Sequence, residues 1–257
     1  MQRTKFSQFM TLLWALVSRD IRARYRRSTL GIFWAVLQPL MLMVVFSILR
    51  GIVDIPSDGV PYVIFSYSAL VPWTFFTQAV NSAGRSVLSN KGIIKKIAVP
   101  REVFPMAAVL TALFDMSMSS VVLAGMLIWF DIPISWALLW IIPFLILTVV
   151  LAFAIGMAVA ALGTFRQDLV LALPFIMQLW LYTTPIIYPI SSVPEKWRSF
   201  YLLNPMVSII GGFRDALISA QSPDIGQLSF ATIITILALV LAWPFYRKMS
   251  GYFADVI

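Results

Sequence analysis

The 257 residues are 60% hydrophobic and only 12% charged, with a mean hydropathy of +0.90, which excludes an ordinary soluble domain and describes a chain that lives in lipid. No His and no Cys occurs, so thiol nucleophiles, His general bases, Ser-His-Asp triads and Cys/His zinc sites are all excluded. In such a chain the net charge of +8 reads as membrane topology rather than as an attraction to nucleic acid.

The first element is a helix over 6–27. At 100° per residue Phe6, Phe9, Met10, Leu13, Trp14, Leu16, Val17 and Ile21 share one face, and Gln8, Arg19, Arg22 and Arg26 share the other, the pattern of a helix lying at a membrane surface. Arg24 and Arg27 fall near the apolar arc, so the helix is expected to bend or end there. The segment lacks the apolar stretch of a cleaved signal peptide, and the first span is expected to stay in the mature protein.

Six apolar runs of spanning length follow, at 32–49, 60–80, 104–130, 136–162, 169–190 and 228–245. All are expected as helices, since none shows the alternation of a barrel strand, and Pro39, Pro72, Pro143, Pro174 and Pro185 are expected as kinks rather than breaks. The fold class is therefore all-α: one integral membrane domain, 1–257, of six transmembrane helices. An even number of spans puts both termini on one side. Fifteen of the 19 Lys and Arg fall on that side, including Arg3, Lys5, Arg27, Arg85, Arg101, Arg166, Arg247 and Lys248, so both termini are expected in the cytoplasm.

Two segments between spans carry further information. The loop 84–101 interleaves Ile93, Ile94 and Ile97 with Lys91, Lys95 and Lys96, which suits either an orientation signal alone or a two-faced element that docks a cytoplasmic partner. The stretch 191–227 is too polar to span yet carries Trp197, Phe200, Met206, Ile209, Ile210 and Phe213. Within it Asn204 and Pro205 suit an N-cap and a first helical position, predicting a short helix over 205–218 that dips into the outer edge of the bilayer.

Asp115 stands alone as a carboxylate inside a span, with either a direct functional role or a partner within the bundle. Ala152, Gly156 and Ala160 form a small-residue stripe suited to close helix packing. The aromatics Tyr62, Trp73, Phe76 and Tyr188 belong either to interfacial belts and lipid-facing bulk or to the lining of a conduit whose flat rings suit sugar faces. No Walker-type phosphate loop is present, so any ATP that drives the protein is bound by another subunit.

The run RDIRARYRRSTLGIFWAVLQPL at 19–40 combines a basic stretch, the core formed by Ser28, Leu30, Gly31 and Trp34, and the pair Gln38-Pro39. It resembles the first segment of the permease subunits of polysaccharide-exporting ABC transporters, the O-antigen and teichoic-acid exporter family. NKGIIKKIAVPREVFP at 90–105 is similar to that family's cytoplasmic loop, and Leu203-Asn204-Pro205 with its following helix resembles its external re-entrant region.

The resemblance implies a permease of the bacterial inner membrane, without enzymatic activity or a cofactor of its own. Two copies would pair with two ATPase subunits that bind ATP and Mg, and together they would export a lipid-linked polysaccharide such as O-antigen. It further implies a cytoplasmic interface helix within 1–29, bearing Arg19, Arg22 and Arg26, and a coupling helix over 86–97, with Ser86, Lys91, Ile93, Ile94, Lys95 and Ile97 meeting the ATPase. External re-entrant helices over 194–218 would form an exit gate with Trp197, Asn204 and Pro205. Tyr62, Trp73, Phe76 and Tyr188 are expected along the channel. An exporter of teichoic acid, small lipids or drugs fits the same architecture. A secondary carrier would need more polar groups at mid-membrane than Asp115 alone, and a structural membrane protein would not need the docking loop.

Overall fold

The computed structural model describes residues 2–26, 28–97 and 99–256, apart from the side chains of residues 2–5, 254 and 255; Arg27 and the side chains of Arg3 and Lys5, used in the topology count, lie outside the described residues. Among the described residues every regular element is helical. In chain order they are α1 (Gln2–Tyr25), α2 (Phe33–Val53), α3 (Tyr62–Ser89), α4 (Lys91–Ile94), α5 (Val103–Trp129) and α6 (Ile141–Phe165), the last entered through a 3-10 turn at Trp136–Trp140. Then come α7 (Gln167–Tyr182), α8 (Glu195–Leu202), α9 (Pro205–Arg214), a π-helical turn at Asp215–Ser219, α10 (Ile225–Ser250) and α11 (Phe253–Val256).

Five of these, α2, α3, α5, α6 with its leading turn, and α10, are long and apolar enough to cross a membrane. The shortest has 21 residues, about 32 Å at the helical rise, against a hydrocarbon core of about 30 Å. The expected fifth span is corrected. Its helix, α7, has 16 residues, about 24 Å, and stops at Tyr182 rather than running on to 190. Pro185 breaks it, because a proline ring disfavours helical backbone at the preceding Thr184 and clashes with the carbonyl four residues earlier. Pro39, Pro72, Pro174 and Pro244 stay inside their helices without breaking them.

Helix α3 is the axis of the bundle. It packs against α5, α6, α2, α9 and α7, and its Phe65, Tyr67, Trp73, Phe75 and Phe76 are buried. The small-residue stripe of α6 lies on this axis. A Cβ on Gly156 would stand 2.5 Å from Ala83 Cβ, so the two backbones meet at a distance that only glycine permits. The stripe thus serves packing within the subunit. Helices α2 and α10, by contrast, keep most of their apolar side chains on the surface of the protomer.

Contacts between loops sort the bundle into two ends. At one end the guanidinium of Arg19 donates to Asn90 Oδ1 at 2.8 Å, Arg247 pairs with Glu102 at 3.0 Å, and Phe253 packs under Arg101 and against Tyr246. Helix α1, the basic loop and the C-terminal segment therefore share one face. At the other end Ser191 donates to Asp58, joining the α2–α3 connection to the segment after α7.

Candidate functional site

On the basic face, α1 is amphipathic and packs against α5, with Leu13, Leu16 and Val17 buried; Phe6 and Trp14 of the expected apolar face remain exposed. Arg19, Arg22 and Arg26 are exposed, Arg19 while bonded to Asn90. The helix ends at Tyr25, and its last turn reaches inward: Arg24 donates to one carboxylate oxygen of Asp115 and Tyr25 OH donates to the other. Asp115, only 3% exposed, lies about 18 Å along α5 from Val103, so the acid inside the span is paired within the bundle. Burial, reinforced by the carboxylate it bonds, raises the Tyr25 hydroxyl above its ordinary value and keeps it a donor. Ser28, Leu30 and Gly31 of the motif lie in the turn from α1 to α2, where Gly31 takes a left-handed φ of +50°, and Trp34 lies in the first turn of α2. Arg24, Tyr25, Ser28, Trp34, Gln38 and Gln78 line an open cavity of about 630 Å³ beside that turn.

The segment expected to couple, 86–97, is more compact than the sequence suggests. Only Lys91–Ile94 is an independent helix, and Ser86 is a buried member of α3 whose hydroxyl donates to Ala83 O at 2.6 Å. Ile94 is 6% exposed and anchors the loop to the core, so neither Ser86 nor Ile94 offers a surface to a partner. Lys91, Lys95, Lys96 and Ile97 are exposed and Ile93 is half-buried, so these five form the presented face.

The opposite face holds a construction in which an unwound turn is gripped by side chains. After α7 the chain makes irregular turns through 183–188, with Thr184, Pro185, Ile186 and Ile187 buried. Backbone carbonyls with no helical partner are costly in an apolar environment. Here each one from 182 to 187 has a donor. Tyr188 OH donates to Tyr182 O at 2.8 Å, Asn204 Nδ2 to Thr183 O at 3.0 Å, and Ile186 N to Thr184 O at 2.7 Å. Arg214 Nη2 donates to Pro185 O at 2.9 Å and, at 3.4 Å each, to Ile186 O and Phe65 O. Tyr62 OH donates to Ile187 O at 2.9 Å.

Helix α9 supplies both main grips. Asn204 is its N-cap, accepting from Met206 N and from Trp180 Nε1 at 3.0 Å each while its amide nitrogen donates to Thr183 O and Thr184 Oγ1. All four positions of the side-chain amide are thereby used. Pro205 opens the helix at its first position, as the sequence predicts. Arg214, at the C-terminal end, lies over the Phe65 ring at 3.6 Å. Burial lowers it to about 10, so it stays cationic at neutral pH, with Asp215 and Asp58 opposing that shift. Burial likewise raises the Asp215 carboxyl and the Tyr201 hydroxyl, which donates to Tyr188 OH at 3.2 Å.

Several expected site residues lie elsewhere. Tyr62, Trp73 and Phe76 are sealed inside the protomer, with Trp73 and Phe76 packed edge-on against Trp180, so as placed they present no surface to a conduit. The reason is that α3 is central, and amphipathic rings satisfy a packed core as well as a channel wall. Tyr188 is half-buried in the gripped turn. Trp197 stands exposed on α8, beneath Lys196. Sequence reasoning missed Arg214 and, though it offered Asp115 a partner within the bundle, missed that Arg24 and Tyr25 are the partners. The available signal for Arg214 was a lone cation at the end of the otherwise apolar α9.

The sequence pattern of the ABC-2 type transporter membrane family matches residues 11–218. The chain is similar to the O-antigen export system permease protein RfbA of Myxococcus xanthus, 28% identical over 257 aligned residues that cover 97% of this chain and 96% of that protein. It is similar to a Klebsiella pneumoniae protein of the same name at 26% identity, covering 96% and 95%, and to the polysialic acid transport protein KpsM of Escherichia coli at 23%, covering 96% of each. With the family pattern spanning most of its length, this multi-pass helical chain belongs to the ABC-2 type transporter membrane family.

Proposed function

We propose that the chain is the membrane-spanning subunit of an ABC transporter that exports a lipid-linked polysaccharide of the O-antigen type across the bacterial cytoplasmic membrane. End-to-end similarity to O-antigen and polysialic acid transport proteins carries this reading, because it extends over the basic face, the bundle and the gripped external turn alike. The chain acts as a transport component and takes its energy from separate ATPase subunits that bind ATP and Mg. Two copies enclose the path. The face shared by α1, the basic loop and the C-terminal segment is cytoplasmic, as its excess of Lys and Arg favours.

Lys91, Ile93, Lys95, Lys96 and Ile97 form the ATPase contact, a small apolar patch ringed by cations that suits a cleft with an acidic rim. Helix α1 lies at the inner leaflet, with Arg19, Arg22 and Arg26 at the lipid headgroups. The turn 183–188 with α8 and α9 forms the external gate, held through Asn204 and Pro205. The test is assembly with the ATPase. Ile97→Asp, alone and with Ile93→Asp, is expected to weaken copurification of the ATPase at least tenfold, about 1.4 kcal/mol, while membrane insertion is unchanged. Undiminished copurification, or nucleotide hydrolysis by this chain purified alone, would overturn the reading.

A further inference from the structure

We infer that Arg214 is the keystone of the external turn, a positioning residue that ties the break after α7 to α3 so that the seal moves with the bundle axis as one body. The observation is a convergence of grips. A single guanidinium nitrogen donates to carbonyls on two separate chain segments, Pro185 and Ile186 on the turn and Phe65 on α3. The guanidinium carbon lies over the Phe65 ring, 3.6 Å from its centroid, and Tyr62, three residues before Phe65, donates to the next carbonyl of the same turn, that of Ile187. Removing the guanidinium frees Pro185 O and Ile186 O together.

Arginine is the residue this geometry requires. Its planar guanidinium stacks on the Phe65 ring while Nη2 reaches both segments, whereas a lysine ammonium does not stack and has a smaller span. Arg214 also sits where α9 passes into the π-helical turn Asp215–Ser219. Wider turns of this kind re-aim a side chain within a helix and are frequent at functional positions. Its Nε makes no hydrogen bond, so the guanidinium has a spare donor should the turn shift against α3.

The absence of Cys in the natural chain makes accessibility a clean probe. A cysteine replaces Ile187, 7% exposed in the turn, and as a control Leu151, 2% exposed in α6. Each is labelled in membranes by a maleimide that cannot cross the bilayer. Arg214→Gln is expected to speed labelling at Ile187→Cys about tenfold, corresponding to about 1.4 kcal/mol of opening, and to leave Leu151→Cys unlabelled. Arg214→Lys, which keeps the charge without the planar group over Phe65, gives an intermediate rate. No acceleration at Ile187→Cys, equal acceleration at the control, or a wild-type rate in the lysine variant would each overturn the assignment.

The second measurement alone rests on the export reading. In the complex with the ATPase, labelling of Ile187→Cys responds to ATP when Arg214 is present and loses that response in Arg214→Gln. A response that survives in the variant overturns the keystone role. No response in either protein overturns the export reading instead.

Discussion

The Arg24–Asp115 pair allows a quantitative test of how α1 is held. Its two members are unequally shielded: the Asp115 side chain is 4% exposed and that of Arg24 is 30% exposed. Breaking a buried pair costs about 3 to 5 kcal/mol when the remaining charge has no escape. Arg24→Met leaves the carboxylate enclosed without its cation, with Tyr25 OH still donating to it, and is expected near the lower end of that range, about 3 kcal/mol. Asp115→Asn leaves a guanidinium that can swing toward the open cavity beside it, so the loss is expected to be smaller, about 1 to 2 kcal/mol. The double variant removes both charges and should cost less than the sum of the two by at least about 1 kcal/mol.

Unfolding by SDS titration of the protein purified in mild detergent, followed through its nine tryptophans, supplies the four free energies of the cycle. A coupling below about 0.5 kcal/mol, within the usual additivity of independent sites, would show that the pair does not anchor the helix. The reverse ranking, with Asp115→Asn the more damaging, would refute the argument from unequal shielding.

Asn204→Ala should lower stability by about 2 to 4 kcal/mol, since it removes an N-cap and leaves Trp180 Nε1 and Thr183 O without partners. Asn204→Asp keeps the cap and the acceptor for Trp180 while losing the donor to Thr183 O, so a stability between alanine and wild type in the same titration is the check. Gly156→Val should cost about 1 to 3 kcal/mol by forcing α6 away from Ala83, and Ala83→Gly in the same chain should recover part of that loss; no recovery would place the strain elsewhere. Trp197→Ala, on the exposed face of α8, should leave stability within about 0.5 kcal/mol of wild type, and a larger drop would mean that the ring is covered.

What the sequence disclosed followed from patterns that depend on one element at a time. Apolar runs located the spans, the basic residues grouped the loops onto one face, and Asn204-Pro205 announced a capped helix that the structure contains. Pro185 was visible but ambiguous, because a proline inside an apolar run kinks or breaks according to whether other groups can satisfy the freed carbonyls. Those groups, Asn204, Arg214 and Tyr62, lie 19 or more residues away in sequence, on α9 and α3. The same dependence on distant neighbours hid Arg24, whose place near the apolar arc looked like decay of the amphipathic pattern until Asp115 supplied its partner.

The aromatics make the point from the other side. Tyr62, Trp73 and Phe76 were weighed as channel residues on their chemistry, yet their exposure is decided by where α3 sits, and α3 is enclosed by five other helices. An enclosed axis also explains why both polar clusters touch it. Gln78 of α3 shares the cavity with Arg24 on the basic side, and Phe65 and Tyr62 of α3 hold the turn on the other. One 28-residue helix thus reaches from the segment that enters the basic loop to the seal at the far end. A displacement of the loop directed along α3 would arrive at the turn 183–188 through the helix itself, with Arg214 and Tyr62 as the last links of that path.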